Sequence, residues 1–157
     1  MITYALAQEA DVEGIQHVAA GSWRAAYDGI FTPEFISDFL ARAYSMEGLS
    51  RSVRNPEHIF LVARDGPQIV GFCHYGIGRQ GPELFRMYVL PGYWRSGTGT
   101  GFLHLLESRL AGHGVAEYYC YVHSRNEIGK AFYIRRGFVH DLSRDREEEW
   151  CMVRRLV

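Results

Sequence analysis

The chain has 157 residues, 47% apolar and 14% aromatic, which suits one domain with its own core and argues against disorder. A net charge of −1 leaves no basic footprint for a nucleic-acid partner, no apolar run is long enough to cross a bilayer, and the N-terminus carries no basic-then-apolar leader. Cys73, Cys120 and Cys151 are odd in number, far apart and set in apolar runs, so they read as reduced core residues of a cytoplasmic protein.

Ile2 to Ala7 reads as a first strand. Asp11 opens a helix in which Ile15, Val18, Ala19, Trp23 and Ala26 recur at helical spacing, with a stop at Asp28-Gly29. Thr32-Pro33 is a second start, hydroxyl as N-cap and proline at the first helical position. Ser45 caps a third helix running toward Arg54. Ile59–Ala63, the turn Asp65-Gly66, and Ile69–Tyr75 form a hairpin. Leu84 to Leu90 is extended, a glycine-rich turn follows from Pro91 to Gly101, and Phe102 opens an amphipathic helix ended by Gly112 and Gly114. Tyr118–Val122 is a strand, Asn126–Arg136 a helix stopped by Gly137, and Phe138–His140 and Trp150–Val153 are two closing strands. This order predicts an α+β fold, an α/β sandwich whose mostly antiparallel central sheet contains one parallel strand–helix–strand unit.

The glycine-rich turn carries the strongest chemical signal. A turn that runs into a helix start leaves several N–H groups unpaired at the positive end of the helix dipole, which makes an anion cradle. A phosphate loop of nucleotide hydrolases would need lysine where Thr98 stands, and a dinucleotide fingerprint would need a third glycine where Phe102 stands. No close Cys or His pair has metal-ligand spacing, and Trp94 breaks the Gly-x-Ser-x-Gly pattern of a hydrolase elbow.

The second motif is Asn126-Glu127-Ile128-Gly129-Lys130-Ala131-Phe132-Tyr133-Ile134-Arg135-Arg136-Gly137-Phe138. Together with Trp94-Arg95-Ser96-Gly97-Thr98-Gly99 it resembles the GNAT family of acetyl-CoA-dependent N-acetyltransferases. The resemblance runs from the Glu83 strand to the C-terminus. It implies the GNAT-type sheet, acetyl-CoA as donor, no metal, and a direct transfer to an amine. Pantetheine would lie along Met87, Tyr88 and Val89, pairing like an added strand. The pyrophosphate would rest on the amides of Arg95, Ser96, Gly97, Thr98, Gly99 and Thr100, and Asn126 would hold the cofactor arm. Trp94 stands where the family has Gln or Arg, and Gly129 where it has alanine, a change that by itself only lowers helix propensity.

Tyr133 matches the family's general acid. Glu83 matches, by its offset from Gly97, the catalytic glutamate of some members, with His74 and His123 as alternative bases. Residues 22–34 are similar to PaiA-like members, which implies a polyamine or other small cationic amine as acceptor, bound by Trp23, Tyr27 and Asp28. The charge distribution agrees in direction: residues 1–58 hold eight acids against four arginines, and residues 59–157 ten acids against thirteen bases. An acceptor at a protein N-terminus, or a module that binds acyl-CoA without turnover, would leave the same motifs, and exposed strands near the C-terminus would permit a homodimer.

Overall fold

Ile59–Ala63 and Ile69–Cys73 carry no polar side chain at consecutive positions, the pattern of strands buried on both faces, and they lie inside a seven-stranded sheet. The structure, a computed structural model, describes residues 1–156. Its elements in chain order are β1 (Ile2–Leu6), α1 (Val12–Ala26), α2 (Pro33–Ala43), α3 (Met46–Arg54), β2 (Ile59–Asp65), β3 (Gln68–Gly78), β4 (Gly81–Val89), α4 (Thr98–Ala111), β5 (Glu117–His123), α5 (Glu127–Arg135), β6 (Val139–His140) and β7 (Glu149–Arg155). Across the sheet the order is β1-β2-β3-β4-β5-β7-β6, and only β4 and β5 are parallel.

Successive residues of one strand enter different cores because side chains alternate across a sheet. Leu61 and Ala63 pack with Phe102, Leu106, Leu110 and Tyr133 on the α4/α5 face, whereas Phe60 and Val62 pack with Val12, Ile15, Val18, Ile36 and Leu49 on the α1–α3 face. Cys73 and Cys120 are buried in the first core and Cys151 in a small third one, all as free thiols.

Three helix starts follow the sequence signals directly. Thr32, Ser45 and Asn126 accept hydrogen bonds from the backbone N–H of Phe35, Gly48 and Gly129. The β2–β3 turn falls at Gly66-Pro67, one residue later than the sequence suggests, and β4 begins at Gly81. The larger difference is α4, which starts at Thr98 and not at Phe102. Gly99 and Gly101 have poor helix propensity, but tertiary contacts require them there. A Cβ at Gly99 would press on the Phe132 ring at 3.0 Å, and one at Gly101 would run into the Tyr4 hydroxyl.

His74 and Arg86 face each other in the β3–β4 pair, next to a bulge that leaves Phe85 as the extra residue of β4. The His74 ring is buried against Phe60 and Phe85. Arg86 Nε donates to His74 Nδ1 at 3.2 Å, which assigns the imidazole proton to Nε2, donated in turn to His58 Nδ1 at 2.9 Å. Burial first, then the charge of Arg86, lowers its pKa to about 2. With both ring nitrogens engaged and so little affinity for a proton, His74 is ill suited to serve as the base. An unfolded histidine takes up a proton near pH 6.5 and this folded one does not, so stability falls as pH drops below that value. Urea denaturation at pH 7 and pH 5 should show an acid-side loss from this group of about 2 kcal/mol, absent in His74→Asn.

Candidate active site

β4 and β5 are paired at Glu83 and Tyr119. Beyond that point they bound a cleft of about 860 Å³, with Leu84 to Val89 on one wall and Cys120 to Val122 on the other. Leu90 N–H bonds to Val70 C=O, and in antiparallel pairing this turns the main-chain groups of Met87 and Val89 away from β3 and into the cleft. Met87 N–H and C=O and Val89 N–H are therefore an open strand edge. Val89 C=O is already taken: the Trp94 indole N–H donates to it at 2.7 Å. The residue that departs from the family pattern thus ties the glycine loop to the end of β4.

At the other end of the cleft the loop turns through two left-handed residues, Arg95 (φ 62°) and Gly97 (φ 87°). The Gly97 carbonyl accepts the first helical bond, from Gly101 N–H. The amides of Arg95, Gly97, Thr98, Gly99 and Thr100 have no acceptor among the described residues, and α4 has no side-chain cap. These orphan donors at a helix N-terminus are what a diphosphate needs. Ser96 departs from the expectation: its amide bonds to Tyr93 C=O, its hydroxyl bonds to Tyr93 C=O and Thr98 Oγ1, and it does not line the cleft. It builds the turn rather than the cradle.

Arg95, Arg135 and Arg136 line this end. Arg136 Nε donates to Thr100 Oγ1 at 2.7 Å and its guanidinium lies over the Phe132 ring. Arg135 and Arg136 were legible in the sequence only as two adjacent bases in the last turn of a helix. That the end of α5 meets the start of α4 is a tertiary fact. Glu127 is the only carboxylate lining the cleft among the described residues, and Lys130 pairs with it at 2.9 Å.

Four residues with polar side chains, Tyr27, Tyr88, Asn126 and Tyr133, also line the cleft. Asn126 Oδ1 caps α5, and its Nδ2 reaches the Tyr27 hydroxyl at 3.4 Å. A Cβ at Gly129 would strike this amide at 2.8 Å, so Gly129 does more than lower helix propensity: it makes room for Asn126. Burial raises the pKa of Tyr27 and pushes those of Tyr88 and Tyr133 well above the ordinary phenol value, so all three stay protonated. Tyr133 packs against Phe132 and Phe138, beside the Cys120 thiol.

The remaining expected residues lie around the cleft and not in its wall. Trp23 is buried, its ring stacked on Phe39 at 4.3 Å and tilted against Tyr27 at 4.2 Å, and it does not line the cleft. Asp28 is exposed just past α1. Glu83 is half-buried at the start of β4, adjacent in sequence to the cleft residue Leu84, and accepts a hydrogen bond from Tyr119 at 3.0 Å. Its pKa is raised by burial against the opposing effect of that bond. His123 is buried edge-on to Phe31 and Tyr27; its Nδ1 accepts from Arg125 N–H, and its Nε2 lies 3.5 Å from Glu148. Neither side chain belongs to the cleft wall.

Comparison with known proteins agrees with this geometry. Residues 22–138 match the Acetyltransferase (GNAT) family. A spermidine N(1)-acetyltransferase of Thermoplasma acidophilum is 33% identical over 132 residues, 82% of each chain. An uncharacterized N-acetyltransferase of Mycobacterium bovis is 27% identical, covering 94% of this chain and 99% of the other. The crystal structure of PaiA N-acetyltransferase from Thermoplasma acidophilum in complex with coenzyme A superimposes with a TM-score of 0.93 at 28% identity, over 99% of both chains. Open strand edge, orphan amides and paired motifs converge with these similarities: the chain belongs to the acetyltransferase (GNAT) family and is an acetyl-CoA-dependent N-acetyltransferase.

Proposed function

We propose that the protein transfers the acetyl group of acetyl-CoA directly to a primary amine of the polyamine class, with Tyr133 as general acid and Glu83 as the proton acceptor. The observation that carries this reading is the presence, in one cleft, of free amides at a helix start, an open strand edge and a protonated phenol. The 33% identity to a spermidine N(1)-acetyltransferase supports the acceptor class.

Acetyl-CoA supplies the acyl group already activated as a thioester. The amides of Arg95, Gly97, Thr98, Gly99 and Thr100, with Arg135 and Arg136, would hold its phosphates, and Met87 and Val89 its amide-bearing arm. The chain must then handle two protons. An alkylammonium has a pKa of about 10.4 and attacks only when neutral, so a base must take its proton. Glu83 is outside the cleft wall, so in this proposal it receives the proton through water rather than by contact. Tyr133 Oη, kept protonated by burial, donates to the departing thiolate. On the acceptor side Trp23 is buried and outside the cleft wall, so recognition of the amine falls to Tyr27, which lines the cleft, and to the exposed carboxylate of Asp28.

Glu83 gives a test with a defined sign. Its raised pKa means that the carboxylate, the form that accepts, disappears as pH falls through a value above the usual carboxylate range. The acid limb of log kcat/KM with spermidine should fall with a slope of two, one proton from the amine and one from Glu83. In Glu83→Gln the slope should be one and the plateau should drop by ~10–100-fold. An unchanged slope would place the base elsewhere.

A further inference from the structure

A second cavity, of about 430 Å³, opens between α3 and the sheet, and its polar lining comes from Arg51, Ser52, Asn55, His58 and Arg86. What distinguishes it is that the lining offers hydrogen-bond donors and no carboxylate. Arg86 is half-buried. Its Nε is bonded to neutral His74, its Nη1 to Ala43 C=O at 2.9 Å, and its plane covers the Tyr44 ring at 4.5 Å, so none of these partners carries a negative charge. Nη2 has no acceptor among the described residues. Half-buried guanidinium groups are normally matched by an anion.

The neighbours repeat the pattern. His58 Nδ1 accepts the His74 proton, which leaves its own proton on Nε2. Asn55 Oδ1 accepts from Glu57 N–H, which leaves the Asn55 amide NH₂ as a donor. Arg51 is tied only to Glu47, one helical turn away, in a solvent-exposed pair of the weak kind. Burial lowers the His58 pKa, with Arg86 adding to this effect against Glu57, so the ring is a neutral donor that no protein acceptor uses.

We propose that this pocket binds a small oxyanion, the carboxylate or phosphate group of a metabolite other than the two substrates. The anion would sit against Arg86 Nη2 with Arg51, His58 and Asn55 as further donors. Arg86 lines the acetyl-CoA cleft as well, so occupancy of the pocket is coupled to β4, the strand that carries the open edge. The proposal is independent of which amine is acetylated.

The test is calorimetric titration of inorganic phosphate and, separately, succinate into protein saturated with coenzyme A, so that the cradle amides at α4 are already filled. One of the two anions should give saturable heat, which also tells phosphate from carboxylate chemistry. Arg51→Gln should weaken that binding by ~10-fold while leaving coenzyme A affinity unchanged. Ser52→Asp, which places a carboxylate in the pocket, should abolish the heat and raise Tm. Absence of saturable heat with both anions would overturn the proposal, as would binding that is unaltered in Arg51→Gln and Ser52→Asp. Failure of the acetyltransferase reading would appear separately, as absence of heat in the initial coenzyme A titration, and the Ser52→Asp comparison would still decide the pocket.

Discussion

Tyr133→Phe should lower kcat by ~10²-fold and leave the dissociation constant of coenzyme A within about a factor of two, because the substitution removes one proton donor and no packing. The ring is held between Phe132 and Phe138, contacts that phenylalanine reproduces. Tyr133 lines the cleft, and burial keeps its hydroxyl protonated across the working pH range. A departing thiolate has a pKa of about 8.5, so it leaves with modest help, and the loss should be of acid-catalysis size rather than total. Steady-state kinetics with a saturating amine measures kcat, and calorimetry measures coenzyme A binding. An unchanged kcat would remove Tyr133 from the mechanism. A loss confined to KM would make it a binding residue.

Thr100→Asp should do the reverse, leaving the fold intact while coenzyme A affinity falls on the order of 10²-fold. Thr100 is in the first turn of α4, where a carboxylate is favourable to the helix dipole and can pair with Arg136. Tm should therefore hold or rise. The same carboxylate stands among the orphan amides of the cradle. Two like charges at about 4 Å repel by about 4 kcal/mol at an effective dielectric of about 20, and part of this is screened, which leaves the stated factor. Weaker binding without a lower Tm separates a phosphate site from a merely tight turn. If affinity is unchanged, the phosphates are not held at α4.

The features that were legible in the chain are those set by neighbours in sequence. Thr32, Ser45 and Asn126 were readable as helix caps because a cap is satisfied within three residues. β2 and β3 were readable as a hairpin because two apolar runs flank a short turn, and they pair antiparallel. The cradle was readable as a glycine-rich turn, and its pairing with the Asn126–Phe138 motif pointed to the family. What depends on distant approach was not readable. Gly99 and Gly101 look like loop residues until Phe132 and Tyr4 are seen against them, so the start of α4 was displaced by one turn. Trp23 looks like an aromatic available to a cation, but the fold buries it among Tyr27, Phe31 and Phe39. His74 looks like a free base until Arg86 and His58 are found on its two nitrogens. The opening between β4 and β5 leaves no mark in either strand's own sequence, because it is set by where their pairing stops.

Thiol release from acetyl-CoA across a panel of spermidine, other polyamines and amino acids decides whether the β4–β5 cleft supports direct acetyl transfer to a primary amine. Direct transfer should give thiol release that requires an amine, is matched mole for mole by acetylated product, is greatest with polyamines, and leaves no acetyl group on the protein. Tight coenzyme A binding with no amine-dependent thiol release for any acceptor would contradict it and would make the cleft a ligand-sensing site.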